Sequence, residues 1–342
     1  MKRRAAILIP TLNERARIGI LLEQLSRLPD DIVLDIVIAD GGSTDGTRMI
    51  VDAAAARDGR IRLIDNPDRI QAAGINRAAT AADPRADTFV RIDAHALYPD
   101  DYVPRILAAF AETGAEMIAV RLDTRGETCL QRGIAAAQNS RIGSGGSAHR
   151  VGGQSGFVDH GHHAGMDRAI FRAIGGYDES FVANEDAEFD CRVRRANGRI
   201  WLATDIAMTY FPRRTLGGLF RQYYRYGQGR AMTRLKHGER LKPRQMLPPL
   251  LVLAVILSLL AAPIRAEFLL VPLAYLALIS GATLTLFLRK PSPCTLFAAP
   301  AIATMHLAWG CGFGRKFVSG VIARSRRPIA RGTGWHHKGE QE

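Results

Sequence analysis

The sequence predicts an α/β protein: a Rossmann-like mixed, mainly parallel sheet flanked by helices, followed by C-terminal transmembrane helices. Three observations predict it. Apolar runs of strand length alternate with segments of helical period through the first 120 residues. Acids and glycines stand where those runs end. Residues 246–313 are almost free of charge, interrupted only by Arg265, Glu267, Arg289 and Lys290. Strands alternating with helices give a parallel sheet whose ligands sit at the carboxyl ends of the strands.

The elements follow in order. Residues 5–9 read as a buried strand. The preceding Met1-Lys2-Arg3-Arg4 resembles the start of a signal peptide, but the apolar stretch is too short and Pro10 ends it. Residues 15–28 have helical spacing, with Ile18, Leu21, Leu22, Leu25 and Leu28 on one face. Next come a strand at 32–39, a helix at 46–57, a strand at 61–64, an Ala-rich helix at 70–82 and a strand at 88–92. Asp100 can cap a helix reaching Phe110, and 116–120 reads as a fifth strand. The glycines and serines of 143–156 make a loop, either a mobile lid or a plain connector. Residues 186–196 read as a helix and 199–203 as a short strand, while 216–235 is aromatic and basic at helical spacing, as suits a helix lying on a membrane face.

Three apolar stretches follow at 247–264, 268–288 and 295–313; the second is 21 residues without a charge, long enough to span. The net charge of +13 flanks this block, from Arg221 to Arg244 before it and from Arg315 to Arg331 after it. Such clusters favour an anionic cytoplasmic leaflet. They do not indicate nucleic acid, whose recognition motifs are absent. Three spans would put the basic tail outside, against the positive-inside tendency, so two spans with a re-entrant or interfacial third are favoured. The resulting division is a catalytic domain at 1–212, an interfacial segment at 213–245, a membrane region at 246–313 and a tail at 314–342. Cys129, Cys191, Cys294 and Cys311 show no CxxC and no disulfide spacing, which predicts free thiols in a reducing cytosol.

The chemistry-bearing residues stand at element ends. Asp93 and His95 close the apolar run Thr88–Ile92, and strand alternation would point them the same way, toward one ion or ligand. Asp40-Gly41-Gly42-Ser43-Thr44-Asp45-Gly46 ends another strand. Asp40 can accept from a nucleobase or ribose there, and Asp45 reads as the cap of the next helix. The turn lacks both the dinucleotide fingerprint and the P-loop lysine. Asn184-Glu185-Asp186 opens a helix, either as caps or as a site. Asp178, in Gly175-Gly176-Tyr177-Asp178-Glu179, can hold a sugar hydroxyl or serve the turn. Asp159-His160-Gly161-His162-His163 could hold zinc, but reads better as an active-site loop contacting diphosphate, metal or acceptor.

Taken together these residues resemble glycosyltransferase family 2, inverting enzymes with the GT-A fold, over roughly residues 5–230. The resemblance is carried in order by Ile9-Pro10-Thr11-Leu12-Asn13-Glu14, Ile38–Thr47, Asn66-Pro67 with Asn76-Arg77-Ala78, Arg91-Ile92-Asp93-Ala94-His95 in the place of the family's DxD, Gly175–Glu179 and Asn184-Glu185-Asp186. Arg221-Gln222-Tyr223-Tyr224-Arg225-Tyr226-Gly227 and His306-Leu307-Ala308-Trp309-Gly310 look like a subgroup of succinoglycan-biosynthesis glucosyltransferases. His95 replaces the second acid of the DxD, Gly41 stands where many members have Asp, and Tyr226 replaces Trp.

The resemblance implies roles. Pro10, Asn13, Glu14 and Asp40 would line the nucleoside pocket. Asp93 and His95 would hold a divalent cation, Mg²⁺ or Mn²⁺, at the donor diphosphate. Asp186 would be the catalytic base. Glu185, Gln222, Arg225, His162 and His163 would face acceptor or diphosphate. The implied activity is inverting transfer of a sugar, glucose from UDP-glucose, to a polyprenyl-diphosphate-linked saccharide in exopolysaccharide synthesis. Its setting would be a multi-pass protein of the cell inner membrane, in contact with membrane lipids, its catalytic domain facing the cytoplasm, with other polysaccharide-assembly proteins as partners. The alternatives are a polyprenyl-phosphate sugar synthase and, below it, a membrane transport component with a regulatory soluble domain.

Overall fold

The computed structural model describes residues 3–325, so the greater part of the predicted basic tail lies outside the described residues. The chain forms β1 (Ala5–Thr11), α1 (Ile18–Ser26), β2 (Val33–Asp40), α2 (Thr47–Ala55), β3 (Ile61–Asp65), α3 (Gln71–Ala81), β4 (Thr88–Arg91), α4 (Tyr102–Thr113) and β5 (Met117–Thr124). Then follow α5 (Cys129–Gln138), the short α6 (Arg141–Ser144) and α7 (Ala148–Val151), β6 (Gly156–Val158), β7 (His162–Asp167), α8 (Arg168–Ala173), α9 (Glu185–Arg195) and β8 (Ile200–Tyr210). The helices α10 (Leu216–His237), α11 (Pro243–Ala261), α12 (Leu270–Arg289) and α13 (Ala298–Ser325) complete the chain.

The eight strands run in the order β3-β2-β1-β4-β7-β5-β8-β6. β1 pairs in parallel with β2 and β4, β2 with β3, and β5 with β8, while β7 runs antiparallel between β4 and β5. Both faces of the sheet are covered at its centre, so β1 and β2 are nearly continuous apolar runs. Ala5, Ile7 and Ile9 of β1 face a core shared with α1, α2 and α4; Ala6 and Leu8 face a second core with α3, α8 and α9. β6 and β7 were not anticipated, because Gly161-His162-His163 carries no apolar alternation. The expected loop at 143–156 is partly helical, in α6 and α7.

Three helices, Pro243–Ala261, Ala266–Arg289 and Pro293–Ala323, are long and apolar enough to cross a membrane. The third differs from the others. Its most apolar window is 44% buried inside the protein, against 6% and 11% for the first two. It packs along α10 at backbone distance: a β-carbon at Gly227 would lie 2.1 Å from the Trp309 carbonyl oxygen, and one at Gly312 2.1 Å from that of Tyr224. Small residues permit this close helix–helix approach.

The cysteine expectation is corrected. Cys129 and Cys294 form a disulfide joining α5 to the 3₁₀ turn Pro293–Phe297 before α13. The two are 165 residues apart, so no local spacing could announce them. What brings them together is packing at Gly133, where a β-carbon would meet Phe297 at 2.4 Å. Cys191 and Cys311 remain free thiols.

Candidate active site

The site is built where β4 stops. An arginine in the otherwise apolar run Thr-Phe-Val-Arg must find acids, because an unpaired buried charge is costly. Arg91, with a side chain only 3% exposed, finds three. Its Nη1 donates to Asp186 Oδ1 at 2.6 Å and lies 3.6 Å from Glu185 Oε1, and its Nε donates to Asp93 Oδ1 at 3.2 Å. Thus Arg91 joins the strand-end acid to the acids that open α9, ninety-three residues later. Sequence reasoning gave Arg91 no role. The signal was a lone charge inside a strand-like apolar run.

Asp93 and His95 line one cavity, but strand alternation is not what places them there. β4 ends at Arg91, and the chain turns through Ala96 N–H donating to Asp93 O at 3.2 Å and Asp93 N–H donating to Tyr98 Oη at 2.7 Å. Strand alternation therefore stops before Asp93. Asp93 Oδ1 accepts from Gln71 Nε2 at 2.9 Å as well as from Arg91. His95 instead turns its Nδ1 to Glu14 Oε1, 3.2 Å away.

The electrostatics separate the acids. Burial would raise Asp186, but Arg91, then His163 and His162, outweigh it and hold its carboxyl below the usual range. Burial likewise opposes ionisation of Asp93, yet Arg91 and the neighbouring histidines take it down to about 2. Glu185, buried beside the Asp186 charge, is pushed up to about 7. The first turn of α9 thus offers one ionised acid and one that holds its proton near neutrality.

The histidines divide in function. His162 lies between the acids, Nε2 3.9 Å from Asp93 Oδ2 and Nδ1 3.8 Å from Asp186 Oδ2, with burial holding it neutral at about 4. His163 is completely buried and has no access to a ligand. It bonds Asp190 through Nε2 at 2.7 Å and Tyr177 Oη through Nδ1, 3.4 Å from Asp186 Oδ1. His160 holds the other Asp190 oxygen at 2.7 Å. His163 is thus a footing under Asp186 rather than a ligand contact, while His160, a quarter exposed, reaches the cavity wall.

On the nucleotide side, Asp40 does not present its carboxylate. That side chain is 0% exposed and accepts from Gly42 N, Ser43 N, Ser43 Oγ and Arg48 Nη1, so it shapes the turn. Asn13, at φ 57°, accepts through Oδ1 from Thr44 N and bridges the ends of β1 and β2. Glu14 is anchored by its N–H on Thr47 Oγ1 and carries His95. Pro10, pairing with Ala39, is the strand end beside them. Asp45 stands one residue before Gly46, the N-cap of α2, and accepts from Thr47 N at 3.0 Å, while Asp178 is bound by Ser180 N and Lys236, which is turn duty.

One cavity of about 960 Å³ opens beyond Asp93, His95, His162, Glu185 and Asp186. Gln222 and Arg225 of α10 line it, Gln222 donating to the hydroxyls of Tyr210 and Tyr226. So do Arg150, Arg221, Arg230 and Arg244. Among the described residues Arg221, Arg225 and Arg230 form no ion pair with a carboxylate, which leaves the cavity positive beyond its acidic end. The membrane-type helices add apolar lining through Leu251, Leu278, Met305 and Trp309, with Tyr275 and His306 among them.

The family model of glycosyl transferase family 2 matches residues 6–175. A protein of Rhizobium meliloti (strain 1021) described as succinoglycan biosynthesis protein ExoA is 43% identical over 321 residues, covering 91% of this chain and 94% of that one. The solved mannosyltransferase PcManGT from Pyrobaculum calidifontis, in complex with GDP-Man and Mn²⁺, has the same fold at a TM-score of 0.58 and 19% identity, over 93% of this chain and 88% of that one. A family pattern on the catalytic half and a relative alike along almost its whole length place the chain in glycosyl transferase family 2, as a glycosyltransferase.

Proposed function

We propose that the enzyme transfers a sugar from a nucleotide sugar to a saccharide carried on a polyprenyl diphosphate, inverting the anomeric centre, as a step in exopolysaccharide synthesis. Glucose and UDP follow the subgroup the sequence resembles, and the succinoglycan relative supports the pathway class. The observation that carries the reading is the continuity of one cavity from Asp93 and Asp186 to Leu251, Leu278 and Trp309. A water-soluble acceptor has no use for a cavity that combines acids, unpaired arginines and apolar side chains of three membrane-type helices. An amphiphile with sugar, diphosphate and chain matches all three.

Within that reading each residue has a task. Arg91 holds Oδ1 of Asp186, leaving Oδ2 to take the proton of the acceptor hydroxyl as it attacks the anomeric carbon. General-base help of this kind contributes about 10²–10⁴-fold. Unpaired arginines along the cavity balance acceptor and leaving-group phosphates. Mg²⁺ or Mn²⁺ is consistent with Asp93, whose Oδ2 accepts no hydrogen bond among the described residues while Gln71 and Arg91 hold Oδ1. Among the described residues no three metal-type ligands converge, but such cations take remaining ligands from substrate phosphates and need only one or two protein groups. The bound cation would neutralise charge on the departing diphosphate.

The test offers membranes containing the enzyme a panel of sugar nucleotides, with and without lipid extract, and follows nucleoside diphosphate release. Release that needs both one sugar nucleotide and the lipid fraction, with the sugar recovered in a glycosidic linkage on an existing saccharide, is the expected outcome. Release indifferent to lipid, or a monosaccharide phosphodiester as product, would sink the reading.

A further inference from the structure

We infer that His162, not His95, is the second protein ligand of the divalent cation; the inference rests on the metal-assisted donor site just proposed. The geometry separates the two histidines. His95 spends Nδ1 on Glu14 at 3.2 Å, on the nucleotide side of the turn, and its ring is nearly half exposed. His162 projects from the first residue of β7, the strand held antiparallel against β5, and is only 14% exposed. Its Nε2 faces Asp93 Oδ2 at 3.9 Å. Among the described residues that oxygen accepts no hydrogen bond, since Gln71 and Arg91 are both on Oδ1.

Two atoms bound to one cation at about 2.1 Å each stand at most about 4.2 Å apart, and closer when they are adjacent ligands. A gap of 3.9 Å between a carboxylate oxygen and an imidazole nitrogen is therefore spanned by one ion with a small inward movement. The other ring nitrogen is placed to serve. Nδ1, 3.8 Å from Asp186 Oδ2, can carry the ring proton toward that oxygen and leave Nε2 as the lone-pair donor. A metal-bound histidine is commonly oriented by a carboxylate at its other nitrogen. His162 would then link cation and base through a single ring, so that filling the donor side orders the oxygen that takes the acceptor's proton. An imidazole ligand also shifts preference from Mg²⁺ toward softer divalent ions such as Mn²⁺.

The full-length protein in detergent is titrated with Mn²⁺ in the presence of UDP, and in parallel GDP. Calorimetry gives the affinity, and electron spin-echo spectroscopy of bound Mn²⁺ reports a coordinated imidazole nitrogen. We expect the nitrogen signal in wild type and in His95→Ala, and its loss in His162→Ala with at least a tenfold weaker Mn²⁺ affinity. His162→Asn, closer in size, should lose the signal as well and guards against misfolding of the alanine variant. Asp93→Ala should abolish Mn²⁺ binding. A nitrogen signal that survives in both His162 variants and vanishes in His95→Ala overturns the assignment. So does wild type binding Mn²⁺ with no nitrogen signal. Wild type that binds no Mn²⁺ with either nucleotide overturns the metal-assisted reading beneath it, which distinguishes the two failures.

Discussion

Replacing Arg91 by Met tests the central electrostatic claim. The guanidinium, 3% exposed, is the shared counter-charge of Asp186 at 2.6 Å, Asp93 at 3.2 Å and Glu185 at 3.6 Å. Removing one side of a buried charge pair costs about 3–5 kcal/mol, because the acids left behind are unpaired. Carboxylates relieve that cost by taking up protons, at about 1.4 kcal/mol per pKa unit. If about half the cost is relieved at Asp186, its pKa rises by roughly 1.5 units. The sign follows from its depressed folded-state value. Its stabilising contribution is present above the unfolded pKa and lost as pH falls through the folded one, so the variant loses it at higher pH. The assays are kcat/KM against pH, by nucleoside diphosphate release, and thermal melting in detergent. The acid limb should move up by about 1–2 units, and the melting temperature should fall. Arg91→Lys keeps the charge but not the planar fork, and should show a smaller shift with a large loss of rate. An Arg91→Met enzyme with the wild-type acid limb and melting temperature would refute the claim that this arginine keeps Asp186 ionised.

Asp186→Asn should lower transfer by about 10²–10⁴-fold while nucleotide affinity stays within a few-fold of wild type, measured by single-turnover kinetics and calorimetry. Glu185 is raised from 4.5 to about 7, so its stabilising contribution is complete below 4.5 and is lost as pH rises through 7. Glu185→Gln should therefore flatten the fall in melting temperature over that window, an effect on the order of 3 kcal/mol. Peptides containing Cys129 and Cys294 should remain joined in a non-reducing digest, with Cys191 and Cys311 alkylated in the unfolded protein; four alkylated cysteines would exclude the bond.

Much of this was legible from periodicity. The first five strands register as short apolar runs and the helices between them as segments of period 3.6, and their ends drift by only a few residues. The acids were legible because Asp93, Glu185 and Asp186 stand at element ends. Their meeting was not, because it depends on β7 inserting antiparallel between β4 and β5, and β7 carries histidines and glycine where apolar alternation would have announced a strand. Asp40 misled for a related reason. A carboxylate at a strand end looks the same in sequence whether it meets a ligand or the turn beneath one, and Ser43 and Arg48 had already claimed it. Arg91 could have been found by asking what one guanidinium does inside Thr-Phe-Val-Arg-Ile.

The position of the apolar helices is transmitted to Glu185 and Asp186 with little side chain in between. α10 touches α13 through Gly227 and Gly312. Two residues along, a β-carbon at Gly229 would lie 2.3 Å from the Ala183 carbonyl oxygen, in the segment leading into Glu185-Asp186. Asn184, held at φ 65°, donates through Nδ2 to the Tyr226 carbonyl of the same helix at 3.3 Å. Glu188, further along α9, is fixed by Lys236 and His237 from the end of α10. The start of α9 is therefore set by backbone contact with α10, and α10 by backbone contact with α13. Packed interiors transmit displacement because they have little free volume to absorb it. The position of Asp186 relative to the apolar side chains of the cavity is thus fixed by the fold, as the proposed transfer to a lipid-borne acceptor would require.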